Sequence, residues 1–168
     1  MPTVRVAQES DLERLLDIYV EVAAERMWIG AEPPIDRDER LEKWRQRMAE
    51  GSAVTVVVED DDAIVGSASL QGTAGPCGTG VMDLGMALLA PYRGRGLGSM
   101  LVKACIDRAR SAGAHKITLQ VWPHNEAARA LYRKFGFEEE GYLRRQWRRS
   151  NGELWDAVVM GLLLEDDP

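Results

Sequence analysis

The chain has 168 residues, of which 45% are apolar and 29% charged, a balance that suits one soluble globular domain of ordinary size with its own core. Its formal net charge of −6 leaves no basic surplus to neutralise a nucleic-acid backbone, and two cysteines are too few to staple a fold. No apolar run reaches the roughly 18 residues of a membrane span, and the first residues lack a signal-peptide pattern, so a cytoplasmic protein that binds neither membrane nor nucleic acid is expected.

Residues 3–7 read as a short strand. Ser10 and Glu13 have capping-box spacing, and Leu12, Leu15, Leu16, Tyr19 and Val22 then recur on one helical face. Gly30-Ala31-Glu32-Pro33-Pro34 breaks that helix, and Asp36 with Glu39 opens a second one, carrying Leu41, Trp44 and Met48 and stopping near Gly51. β-branched residues mark strands at 53–58 and 63–70, joined by the acidic turn Asp60-Asp61-Asp62. Residues 71–80 hold four glycines and a proline and read as a flexible loop, in which Cys77 is a candidate reactive thiol without a histidine nearby in sequence.

Another strand spans 81–89. After a glycine-rich turn, a helix over 97–112 carries Leu97, Met100, Leu101, Ala104 and Cys105 as its apolar stripe, with Cys105 as a small buried hydrophobe and Gly113 as the stop. Residues 116–122 alternate Ile117, Leu119 and Val121 with Thr118, Gln120 and Trp122, the pattern of a two-faced strand. Asn125 caps a helix that closes at Phe135-Gly136, and strands at 137–147 and 153–164 meet across Ser150-Asn151-Gly152. The order is βααβββαβαββ, an α/β (α+β) domain over residues 1–168. The basic run at 144–149 reads as a solvated hairpin or as part of an anionic cofactor's surround.

The chemistry concentrates in Arg93-Gly94-Arg95-Gly96-Leu97-Gly98-Ser99, between a strand and a helix. The glycines let the backbone turn tightly where the helix begins, and the first amides of a helix lack intrahelical partners at its positive end. Flanked by Arg93 and Arg95, the turn is a cradle for a phosphate or pyrophosphate. A nucleoside triphosphate loop would need a Lys-Ser or Lys-Thr that is absent. A dinucleotide fold would place GxGxxG at the first strand, whereas this GxGxG lies mid-chain.

Arg93-Gly94-Arg95-Gly96-Leu97-Gly98 fits the [Q/R]-x-x-G-x-[G/A] signature of the GNAT acyltransferase superfamily. A second block, Asn125 with Tyr132 seven residues later and then Phe135-Gly136-Phe137, resembles that family's N-x-x-A-x-x-L-Y-x-x-x-G-F. The element order is also similar, so the likeness spans the chain. It implies a mixed, mostly antiparallel seven-stranded sheet, flanked by four helices and splayed between strands four and five. It further implies acetyl-CoA as cosubstrate, no metal, and acetyl transfer to a primary amine by direct attack in a ternary complex. The tail is similar to members acting on free amino acids, polyamines or protein N-termini. The alternative is a catalytically silent acyl-CoA-binding module. Dimers are common in the family, which points to a homodimer pairing through the apolar last strand.

The resemblance implies roles residue by residue. Met86, Ala87 and Leu88 would pair their backbone with pantetheine. Gly94, Gly96, Leu97, Gly98 and Ser99 would hold the pyrophosphate through amides, with Arg93 and Arg95 adding charge. Asn125 would either bond the pantetheine arm or simply cap its helix. Tyr132 would protonate the leaving thiolate, a phenol near 10 being matched to a thiol near 8.5–9. An alkylammonium is neutral about once in a few thousand molecules at pH 7, so a base is needed. Where some members carry Glu this chain has Gln120, which leaves Asp83, acting through water, as the substitute; Glu21, His124 and Asp156 are further options. Trp28, Gln120 and Asp156 are the expected acceptor contacts, with Trp147 and Trp155 near the same end.

Overall fold

A computed structural model describes residues 1–73 and 78–164; the Cys77 expectation lies outside the described residues. Seven strands form one sheet in the order β1-β2-β3-β4-β5-β7-β6: β1 Thr3–Val6, β2 Ala53–Asp60, β3 Ala63–Gly72, β4 Val81–Leu88, β5 Lys116–Val121, β6 Glu138–Arg148 and β7 Leu154–Leu163. Every pairing is antiparallel except β4 with β5. The helices are α1 Leu12–Ala24, α2 Arg37–Glu50, α3 Leu97–Ser111 and α4 Glu126–Lys134.

Period-two alternation along the strands divides the apolar residues between two faces. Val56 and Val58 join Leu101, Val102 and Cys105 of α3 in one core, whereas Val57 joins Leu15, Leu16 and Ile18 of α1 and Leu41 of α2 in the other. α1 and α2 therefore cover one face and α3 the opposite one. The Asp36 carboxylate caps α2 by accepting from Glu39 N at 3.0 Å, and Gly51 stops it in the left-handed conformation.

Two local expectations are corrected. The cap before α1 lies two residues earlier than Ser10/Glu13. A 3-10 turn, Glu9–Asp11, precedes the helix, and the Asp11 carboxylate reaches back to accept from Gln8 N at 2.7 Å. Asp11 wins because Arg5 also donates to both of its oxygens, at 2.7 and 3.0 Å. The second correction concerns the last strand. β7 lies between β5 and β6 with both edges paired, so it offers no free backbone to a second copy; β1 and β6 are the sheet's edge strands.

Candidate active site

The sheet opens where its one parallel pairing fails. β4 and β5 share only three rungs, Val81 with Lys116, Met82 with Ile117 and Asp83 with Thr118. Beyond them β5 continues to pair with β7 as far as Val121, and β4 with β3 as far as Leu88. Each strand follows its better-bonded neighbour, and the two part. A cleft of about 710 Å³ fills the gap, with the β4 segment 84–88 as its floor. On this side that segment has no strand partner, so the backbone groups of Met86 and the Leu88 amide face whatever enters; Ala87, opposite Ser67, turns its own toward β3, and Leu88 O accepts from Arg93 Nε.

The glycine turn forms the cleft's outer end. Gly94 and Gly96 have φ of 72° and 84°, where a side chain is strained, and Gly96 is the N-cap of α3. Met100 N is bonded to Gly96 O at 3.3 Å, so the amides of Leu97, Gly98 and Ser99 precede the first intrahelical bond and point out of the helix end. At Gly98 the constraint is close approach: a Cβ there would come within 3.1 Å of Leu131 Cδ2. Gly94, Gly96, Gly98 and Ser99 line the cleft, while the Leu97 side chain is buried in the core and only its amide can contribute.

The two arginines are ion-paired rather than free. Arg93 holds Glu25 at the end of α1 in a two-point ion pair, 2.8 and 2.6 Å, and its Nε donates to Leu88 O at 2.9 Å. Arg95 donates to the buried Asp60 carboxylate at 2.8 Å and lies outside the cleft lining. Both tie the turn to its surroundings, and the backbone amides at the helix end beside them are groups that suit an anion.

Tyr132 projects from α4 into the cleft wall beside Phe137, with ring centroids 5.6 Å apart. The residue is 6% exposed, but its hydroxyl has no protein partner among the described residues and is not sealed from solvent, so the O–H opens to the cleft. Burial pushes this phenol well above its ordinary value, with the neighbouring Cys105 and Asp83 adding to the shift. The expected match to a thiol near 8.5–9 is therefore incomplete as stated. The same burial acts on thiols, and Cys105 beside it is pushed up to about 12.

Asp83 occupies the last shared rung, where the two strands divide. Its side chain is reachable from the cleft mouth, yet the surrounding protein desolvates it enough to raise its carboxyl above the usual range. Asn125 takes the capping role: its Oδ1 accepts from Ala128 N at 3.2 Å, while the residue still borders the cleft.

The inner end is aromatic. Trp28 lines it at 36% exposure, with its Nε1 donating to Glu25 at 2.6 Å and the Arg93 guanidinium 5.5 Å from its ring centre. Gln120 is bonded to a neighbour rather than free: its Oε1 accepts from Trp147 Nε1 at 3.0 Å. Asp156 does not line the cleft. Its carboxylate accepts from Arg145 N at 2.6 Å and from the Tyr142 hydroxyl at 2.7 Å, holding the bulge where β6 loses register with β7. That bulge, with Arg145 at φ 51°, aims Trp147 into the cleft. His124 is bonded to Met27 O at 2.9 Å as a loop tie, and Glu21 is absent from the lining.

Residue-type reasoning misses Glu25, which joins Arg93 to Trp28. Its partner is 68 positions away and no local pattern marks it. Trp122 reads in the sequence only as an alternating strand residue, yet it lines the cleft, and the strand alternation that puts it on the Gln120 face is the available signal.

The acetyltransferase (GNAT) family model matches residues 12–137. The chain is 29% identical over 164 residues to an L-methionine sulfoximine/L-methionine sulfone acetyltransferase of Pseudomonas paraeruginosa, covering 97% of this chain and 95% of that one. Among solved structures, a ribosomal-protein-alanine N-acetyltransferase from Brucella melitensis superposes with a TM-score of 0.89 at 28% identity, covering 96% of this chain and 99% of that one. A phosphinothricin acetyltransferase from Sinorhizobium meliloti, solved in complex with AcCoA, has the same fold, with a TM-score of 0.87 at 22% identity over 97% of this chain and 88% of that one.

Proposed function

Because the chain belongs to the acetyltransferase (GNAT) family, we propose that residues 1–168 act as one N-acetyltransferase domain, moving an acetyl group from acetyl-CoA to the primary amine of a small molecule or a peptide N-terminus. The observation that carries this reading is the cleft between β4 and β5, with a glycine-built helix end at one mouth, tryptophans at the other and a partner-free phenol between them. The residues present fit the cosubstrate. The unpaired β4 edge suits a pantetheine amide chain, and the amides around Gly96 to Ser99 suit a diphosphate. Relatives named as acetyltransferases of L-methionine sulfoximine and sulfone and of a ribosomal-protein alanine make amino-acid-like and peptide amines the first acceptors to test.

Bound acetyl-CoA supplies an activated acyl carbonyl and a thiolate leaving group. The protein's part is to hold, orient and move protons. Asp83 accepts the proton that the incoming ammonium sheds, directly or through one water, and Tyr132 delivers its proton to the departing sulfur. Neither role needs a metal, and no cluster of three or more potential ligands occurs among the described residues.

Calorimetry with acetyl-CoA, followed by thiol release across a panel of amino acids, polyamines and short peptides, tests the reading. Micromolar binding with turnover of at least one amine is expected. Tight binding with no turnover on any acceptor would instead support a silent acyl-CoA-binding module.

Asp83→Asn gives a paired prediction. Desolvation raises the native carboxyl above its unfolded value, so between those two values the native state holds more protons than the unfolded one. The ionised carboxylate thus costs stability as pH rises through the raised native pKa. The neutral amide in its place should raise Tm at pH 7–8 while lowering kcat/KM about tenfold or more. The wild type should also lose activity as pH falls through a value above the ordinary carboxylate range. A variant with unchanged kcat/KM removes Asp83 from the proton path.

A further inference from the structure

Arg149 is a buried charge in a chain that buries few of them. Only Asp11, Asp60 and Arg149 are buried charged residues among those described, and Arg149 is the most enclosed, at 4% exposure. A buried guanidinium is costly unless its donors are met, and its partners show what it holds. It contacts Glu32 at 3.1 Å and donates to Arg26 O at 3.1 Å. Its Cζ lies 4.3 Å from the Trp155 ring centre and 5.4 Å from that of Trp122, which lines the cleft. Glu32 in turn accepts from Ser150 N at 2.7 Å, and Arg26 donates to the Ser150 hydroxyl at 2.8 Å.

These contacts join the β6–β7 hairpin to both ends of a strap, residues 26–32, that follows α1. Between its ends the strap carries Trp28, Ile29 and Gly30, all in the cleft wall, and His124 is bonded to it near its start, at Met27 O. The strap has no helix or strand of its own to fix it. Besides the Trp28 and Met27 ties, it is held from more than a hundred positions away, by the Arg149 side chain on Arg26 O and the Ser150 amide on Glu32.

We propose that Arg149 and Glu32 form a clasp that holds this strap in place as the wall for the acceptor, making Arg149 a positioning residue for amine specificity. The inference rests on the acetyl-transfer reading of the cleft. Arg149 itself touches no reacting atom: it acts by keeping Trp28 and Ile29 where an acceptor side chain meets them. Without the clasp the strap samples open forms, and acceptor affinity falls by the fraction of time it is in place.

The test uses Arg149→Met, which keeps an apolar stem against the two indoles, and Glu32→Gln, which leaves the core untouched if the first variant fails to fold. Both should raise the acceptor KM about tenfold, corresponding to a strap in place roughly a tenth of the time. kcat and the Kd for acetyl-CoA should stay within about twofold, because the glycine turn and Tyr132 are not disturbed. Amide hydrogen exchange over residues 27–31 should quicken in both variants, and Arg149→Lys should recover part of the loss by restoring the charge without the fork. An unchanged acceptor KM in folded Glu32→Gln overturns the clasp alone. A wild-type chain that binds acetyl-CoA and acetylates no amine overturns the function proposed above and the acceptor role with it.

Discussion

Tyr132→Phe is expected to lower kcat by about 10²–10⁴-fold, the range that general acid catalysis supplies, while the Kd for acetyl-CoA changes little. The ring is what packs against Phe137 and closes the wall, and phenylalanine keeps it. Only the hydroxyl is lost, and that hydroxyl supports no protein hydrogen bond among the described residues. The substitution therefore isolates the proton. Because burial holds the phenol well above its usual value, it stays protonated throughout the working pH range, so no alkaline limb near 10 should be traceable to it. A kcat within about threefold of wild type, measured by thiol release at saturating acceptor, would assign Tyr132 to packing alone.

The second large effect is expected at Gly96. Its Cβ would meet nothing within 4 Å, so a side chain there has room, but its φ of 84° admits few residues besides Gly, Asn and Asp. Gly96→Asp sets a carboxylate beside the amides that would receive a diphosphate. At about 4 Å and an effective dielectric near 20 the repulsion is on the order of 4 kcal/mol per charge pair before salt screening. Affinity for acetyl-CoA should fall by at least about a hundredfold. Gly96→Asn has nearly the same shape and backbone preference without the charge, and should bind much better than the aspartate variant. Calorimetry on the two side by side separates charge from strain, and equal weakening in both would mean the diphosphate does not sit at this helix end.

The site is legible in the sequence wherever its chemistry is local. The glycine turn is a run of adjacent residues that must expose amides at a helix start, and it does so in the structure with Gly96 as the cap. Asn125 offers two local roles, and the structure shows the cap. For Arg93 and Arg95 the charge is visible in the sequence but the protein partner is not. Glu25, 68 positions away, pairs with two nitrogens of Arg93, and Asp60, 35 positions away, with one of Arg95. Asp156 misleads for a related reason. A carboxylate in an apolar strand suggests a ligand contact, but here it stabilises a bulge in the neighbouring strand.

From the residues alone follow the element order, the seven strands and four helices, and the place of the phosphate cradle, because periodicity, caps and turn chemistry act within a few residues of each other. Tertiary structure decides where β4 and β5 part, which charges are neutralised, and that Arg149 reaches the strap after α1. Those outcomes depend on which distant side chains the sheet brings within hydrogen-bond range, and an ion pair forms with whatever partner lies close in space, however far apart the two stand along the chain.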